Sequence, residues 1–264
     1  MRNPNKIIVG ISIGDINGIG IEVILKTFKD QRILEFCTPV IFGSTKVISY
    51  HKKELNLEIP VHGITALAQL HHKKINILNI SKEDVQISIG NLTEASGKYA
   101  LKSLEIATEK LRAKEIDVLV TAPINKENIQ SKDFKFPGHT EFLEAKLNGK
   151  SLMILMTNEL RIGLITGHIP VSKISETITE ELIRNKVNTM HQSLIQDFGI
   201  LKPKIAVLSL NPHCGDNGVM GSEDDEVILP AVQKIQKTGK LVYGPYAADG
   251  FFGSKTYKQF DGVL

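Results

Sequence analysis

Three histidines of this chain sit in loops rich in glycine and proline: His139 in Phe136-Pro-Gly-His-Thr-Glu141, His168 in Thr166-Gly-His-Ile-Pro170, and His213 in Asn211-Pro-His-Cys-Gly-Asp-Asn-Gly218. Imidazole is the commonest protein ligand for metals near neutral pH, and histidines delivered from separate loops can converge on one divalent ion. The competing reading is that each caps a turn. Asp15, Asp216 and Asp249 stand in loops of the same kind. Each could orient a ligand histidine or take a proton, or serve only as an Asx-type turn residue. Lys126 and Arg161 are lone basic residues that could face an anionic substrate. Several other chemistries lack their motif. There is no His-Glu-x-x-His, no Gly-x-Ser-x-Gly and no Walker A sequence, and Gly18-Ile-Gly20 lacks the third glycine of a dinucleotide fingerprint. Cys214 adjoins His213, but neighbours in sequence seldom face each other as nucleophile and base. His51, His62, His71 and His72 lie in lysine-rich surroundings and read as solvated, and His191 as structural or surface.

The loops are placed by what precedes them. Short β-rich runs at Ile7–Ile13, Pro39–Phe42, Asp117–Thr121, Leu152–Thr157, Ile162–Thr166, Lys204–Leu210 and Lys240–Gly244 predict strands. Several are near-continuous apolar runs, as in strands buried on both faces. Helices are predicted between them at Ile21–Asp30, Ser96–Ala113 and about Thr177–Phe198. The last carries the stripe Ile183, Val187, Met190, Leu194 and Phe198 and stops at Gly199. Pro230 either opens a helix or kinks one begun at Glu223. Glu54–Asn91 is less regular and reads as an excursion from the sheet. Alternating strands and helices imply an α/β protein with largely parallel sheets. Ligands in such folds sit at the carboxyl ends of strands, where these Gly, Pro, His, Asp and Asn residues gather. The turn Gly14–Gly20 follows the first strand and could let a backbone approach a ligand, or could be a plain tight turn.

Composition narrows the class. With 264 residues, the chain allows one large domain or two lobes and can bury a substantial core. Charged residues make up 23% and the net charge is +3, too weak and too dispersed to argue for nucleic acid. Two cysteines cannot build a disulfide framework, so a reducing, cytoplasmic setting is expected. No apolar stretch approaches the length of a membrane span, and the opening residues do not read as a signal peptide.

Seven ordered motifs covering essentially the whole chain carry a resemblance. They are Gly14-Asp-x-Asn-Gly-Ile-Gly20-x-Glu22, Thr121-Ala-Pro-Ile-Asn-Lys126, Phe136-Pro-Gly-His-Thr-Glu141, Met156-Thr-Asn-Glu-Leu-Arg161, Thr166-Gly-His-Ile-Pro170, Asn211-Pro-His-Cys-Gly-Asp-Asn-Gly218 and Gly244-Pro-x-x-Ala-Asp-Gly-Phe-Phe252. Together they resemble the 4-hydroxythreonine-4-phosphate dehydrogenase family of pyridoxal-phosphate biosynthesis. The resemblance implies a two-lobed α/β fold like that of isocitrate and isopropylmalate dehydrogenases, with largely parallel sheets, a cleft between lobes and a homodimer. It implies NAD-dependent oxidation of 4-phosphooxy-threonine followed by loss of CO2, assisted by one divalent metal such as Zn, Mg or Co. By position, His168 and His213 match two metal ligands, His139 and Thr140 a substrate-binding pair, and Asp249 a catalytic acid near the metal. No cofactor-binding residue can be assigned. The family pattern has proline where Ile16 and Ile21 stand. It also continues past Leu264 through a Tyr-His-Asp-Gln motif with a third metal histidine, so the expectation is a chain lacking the family's C-terminal part. Two other readings stay open: a relative acting on threonate or erythronate 4-phosphate, or an inactive binding protein that keeps the fold.

Overall fold

The computed structural model describes residues 6–81 and 84–264. The chain divides into two compact units, Met1–Gly149 and Lys150–Leu264, each with its own five-stranded sheet.

In the first unit, β1 (Ile7–Ser12), β2 (Cys37–Gly43), β3 (Val61–Ile64), β4 (Ile75–Asn79) and β5 (Val118–Thr121) lie in the order β3-β4-β2-β1-β5, all parallel. Its helices are α1 (Gly20–Thr27), α2 (Thr45–Glu54), α3 (Glu94–Arg112) and α4 (His139–Lys146). Side chains alternate across a strand, and the core divides accordingly. Ile11 and Ile13 pack with Ile21, Leu25 and Ile48 of α1 and α2. Ile8 packs instead with Val40, Phe42 and Ala107 of α3. Both faces are thus covered, which accounts for the unbroken apolar runs. Buried Ser103 fixes α3 to the sheet: its hydroxyl donates to the Phe42 carbonyl at 2.6 Å and accepts from the Ile13 N–H at 2.9 Å.

The segment Glu54–Asn91 is no excursion: it supplies β3 and β4. Its strands are only 4 and 5 residues long, and the His-His-Lys-Lys run between them hides the pattern. Asn76, a polar residue inside β4, is fully buried. Its amide donates to the carbonyls of Pro39, His71 and Lys74, and its oxygen accepts from the His71 N–H.

In the second unit, β6 (Ile154–Met156), β7 (Arg161–Gly163), β8 (Lys204–Leu208), β9 (Leu241–Tyr246) and β10 (Gly262–Val263) lie in the order β6-β7-β10-β8-β9. Only β6 runs antiparallel, joined to β7 by a tight turn. The helices are α5 (Ile174–Thr177), α6 (Glu180–Gln196), α7 (Leu229–Gln236) and α8 (Ala248–Gly253). The α6 stripe Ile183, Val187, Met190 and Leu194 is fully buried against α7 and the sheet. This helix starts later than its periodicity suggests, because the Thr179 hydroxyl caps it by accepting from the Leu182 N–H at 3.2 Å. Upstream of α7 the chain makes a π-turn at Asp224–Ile228, with Pro230 in the first turn of α7. Proline lacks the N–H of a regular ladder, and the widened turn accommodates it. A second core forms around Ala206, Phe251 and Val263, with Tyr246, Phe252 and Phe260 packed on it.

Candidate active site

The first unit gathers its loops at the carboxyl ends of β1 and β5. Gly14 is left-handed (φ 67°), and a Cβ there would lie 2.3 Å from the Pro123 carbonyl oxygen. The Asp15 N–H donates to that same oxygen at 2.9 Å. Glycine is therefore required by the packing of this turn on the loop after β5. Asp15 is an Asx-turn residue, accepting from the Asn17 N–H at 3.0 Å. Buried Asn17 then ties the turn to the segment before α3, donating to the Asn91 carbonyl at 2.9 Å and the Thr93 hydroxyl at 3.1 Å, and accepting from the Ser88 N–H at 2.8 Å. Of the two readings of Gly14–Gly20, the structural one accounts for these contacts.

His51 is also part of this wiring, against its reading as a solvated residue. It is 3% exposed, and its Nε2 lies 2.9 Å from the Ile16 carbonyl oxygen. Burial holds its pKa below the usual histidine value. Beside it in sequence, Lys52 is half-buried and Lys53 exposed, which is why the surroundings mislead.

His139 and Thr140 open α4. The helix is anchored by Phe142, fully buried and within 5.4–5.6 Å, ring centre to ring centre, of Phe134 and Phe136. The extended residue Gly138 precedes it and makes no side-chain cap bond, and Glu141 stands in the first turn. His139 is half-buried. Its Nε2 is out of contact with solvent and has no hydrogen-bond partner among the described residues, and burial lowers its pKa. A buried imidazole nitrogen left unpaired costs free energy, so it fits a role completed by a ligand. Lys126 lies exposed on the loop after β5.

The second unit presents its polar loops at the carboxyl ends of β7, β8 and β9. His168 is exposed five residues beyond β7. His213 follows β8 in a loop where His213, Cys214, Asp216 and Asn217 all have positive φ, between 47° and 55°. Asp249 lies in α8 after β9. Its Oδ2 is 3.7 Å from His213 Nδ1, and both side chains are largely exposed. That pair sets a carboxylate beside one ring nitrogen, leaving the other for a ligand. The bend that delivers Asp249 depends on Gly244 (φ 135°), where a Cβ would sit 2.2 Å from the Val207 carbonyl oxygen. Here the register between β8 and β9 shifts. Arg161 points into its own unit: its guanidinium lies 4.6 Å from the Phe198 ring centre and donates to the Asp261 carbonyl at 3.3 Å. It is half-buried, with an Nε that has no hydrogen-bond partner among the described residues.

Among the described residues, no group of three His, Cys, Asp or Glu is placed to hold a metal ion. His168 and His213 could supply two imidazoles, and a full donor set needs a further group. No helix of the described residues is long and apolar enough to cross a membrane. Sequence reading passed over Asp224, a fully buried carboxylate that accepts the N–H groups of Leu210 and Asn211 at 2.8 and 2.9 Å. Its only sequence signal was a place in an acidic run.

The family model described as pyridoxal phosphate biosynthetic protein PdxA matches residues 35–264. A 4-hydroxythreonine-4-phosphate dehydrogenase of Bacteroides thetaiotaomicron is 51% identical, over 98% of this chain and 72% of that protein. An Oceanobacillus iheyensis protein, provisionally named a D-threonate 4-phosphate dehydrogenase, is 31% identical over 98% of this chain and 79% of its own length. Among solved structures, a 4-hydroxythreonine-4-phosphate dehydrogenase from Burkholderia phymatum superposes with a TM-score of 0.86 at 29% identity, covering 98% of this chain and 79% of that one. The order of motifs, the two α/β units and these similarities agree: the chain belongs to the pyridoxal phosphate biosynthetic protein PdxA family and is a dehydrogenase.

Proposed function

We propose that this chain oxidises 4-phosphooxy-L-threonine at its C3 hydroxyl with NAD, after which the 3-keto acid loses CO2 to give 3-amino-2-oxopropyl phosphate. The observation that carries this reading is the 51% identity, over 98% of the chain, to a relative named for that substrate. Bound NAD supplies the hydride acceptor that side chains lack. The carboxylate leaves as CO2, and its bonding electrons pass to C2, which is then protonated.

In this reading His139 and Thr140 bind the substrate. The half-buried imidazole of His139 carries an Nε2 without a partner among the described residues, which a hydrogen bond to substrate would satisfy. The Thr140 hydroxyl can donate a hydrogen bond to an oxygen of the substrate. Asp249, with Oδ2 3.7 Å from His213 Nδ1, stands near His213 and takes part in handling the proton of the C3 hydroxyl. A divalent ion such as Zn, Mg or Co would draw on His168 and His213 and would stabilise negative charge on the C3 oxygen. The working form in this reading is a homodimer in the cytoplasm.

The direct test is NADH formation by this chain with 4-phosphooxy-threonine, NAD and a divalent metal, with D-threonate 4-phosphate in parallel. Turnover of the first substrate is expected. The second reading, a threonate 4-phosphate dehydrogenase, is favoured by the relative at 31% identity, and turnover of threonate 4-phosphate alone would establish it in place of the first.

A further inference from the structure

We infer that the Glu223 carboxylate is a positioning group that ties the loop carrying His213 to α5, the helix that follows the His168 loop. Its Oε1 accepts the Ser175 hydroxyl at 2.5 Å, and its Oε2 accepts from Asn211 Nδ2 at 2.8 Å. Ser175 lies in α5, seven residues after His168, and Asn211 stands two residues before His213. One carboxylate therefore spans the segments that follow β7 and β8.

Two further observations support this. A Cβ at Gly221 would lie 2.7 Å from both Asn211 Nδ2 and Glu223 Oε2. Glycine at 221 keeps that hydrogen bond open, and any side chain would push the pair apart. The His213 loop also has reason to be held from outside. Four of its non-glycine residues occupy the left-handed region, a conformation that L-residues keep only where their surroundings impose it. Asp224 fixes the main chain where that loop begins, and Glu223 beside it fixes the loop to α5. The bonds from Ser175 and Asn211 hold the Glu223 pKa down at about 2, so the bridge is ionised at any working pH.

This rests on the reading of His168 and His213 as metal ligands only for its functional consequence. The test compares the 264-residue chain with Glu223→Ala, Glu223→Gln and Ser175→Ala by hydrogen exchange over 168–177 and 209–218, and by titration with Zn2+. In Glu223→Ala, exchange should rise in both segments together, and Zn2+ should bind about tenfold more weakly, as for other residues that orient metal ligands. Ser175→Ala should release only the first segment. Glu223→Gln should restore both, since its carbonyl can accept from Asn211 while its NH2 donates to the Ser175 oxygen. Unchanged exchange in either segment of Glu223→Ala, or a rise spread evenly over the whole second unit, overturns the bridge. If Zn2+ does not bind the unsubstituted chain, the metal reading fails, while the exchange comparison still decides the bridge.

Discussion

The two units use the same architecture, polar loops at the carboxyl ends of parallel strands, but hold their candidate residues in opposite ways. In the first, His139 stands on a helix fastened by an aromatic cluster, with one ring nitrogen withdrawn from water. In the second, His168, His213 and Asp249 are exposed, and what is buried is the carboxylate that fixes the loop backbone. Burial in the first unit prepares a neutral, directed contact. In the second unit the exposed side chains sit on a backbone already held. In the proposed function, the first unit binds substrate and the second handles charge.

The largest expected effect tests that division directly. His213→Ala should lower turnover by about 10²–10⁴-fold, the range for losing a group that acts at the reacting centre. Because His213 is exposed, its melting temperature should barely move. His139→Ala should act chiefly on KM for the phosphorylated substrate. Steady-state kinetics with thermal melts separates the two. A His213→Ala enzyme with normal kcat, or a His139→Ala enzyme with normal KM and reduced kcat, would erase the distinction between the units.

Next in size are the supports. Phe142→Ala removes a fully buried ring from three mutually packed aromatics and should cost about 3–5 kcal/mol. Asp224→Ala strands two main-chain N–H groups and should cost about 2–4 kcal/mol. The isosteric Asp224→Asn should recover part of this, because an amide oxygen can still accept one of the two bonds. Denaturant unfolding measures both. If Asp224→Ala proves as stable as the parent chain, the exposed residues of the second unit have lost their proposed foundation.

Legibility in the sequence follows the same contrast. Apolar periodicity exposed the long strands and α6, because each buries a continuous face. It hid β3 and β4, where short strands are joined by a cationic turn and a buried asparagine does the work of an apolar residue. The loop positions of His168 and His213 were legible because Gly and Pro punctuate strand ends, whereas His139 opens α4 and Asp249 lies in α8. The roles proposed for these residues came from the resemblance carried by seven ordered motifs, which no single spacing could supply. What stayed hidden were groups whose partners are distant in sequence: Asp224 with Leu210, Glu223 with Ser175, His51 with Ile16. A carboxylate in an acidic run and a histidine among lysines give no local sign of burial.

The smallest expected effect concerns His51 and bears on how the first unit holds its turn. Its folded-state pKa lies below the ordinary value because burial outweighs the hydrogen bond to Ile16 and the nearby charge of Glu54. The unfolded chain therefore binds more protons than the folded one as pH falls through about 6.5, and stability rises with pH across that window. The contribution is complete above the unfolded value and is lost as pH drops through the folded one. His139 and His191 are shifted the same way, so His51 must be isolated by substitution. Melting temperatures of the parent chain and His51→Gln between pH 5 and 8 should differ in slope, with the variant flatter, while at pH 8 its Nε2–H donor retains part of the tie to the Ile16 carbonyl. Parallel slopes would mean that His51 accepts protons in place, and that the glycine turn of the first unit is less tightly closed than its contacts indicate.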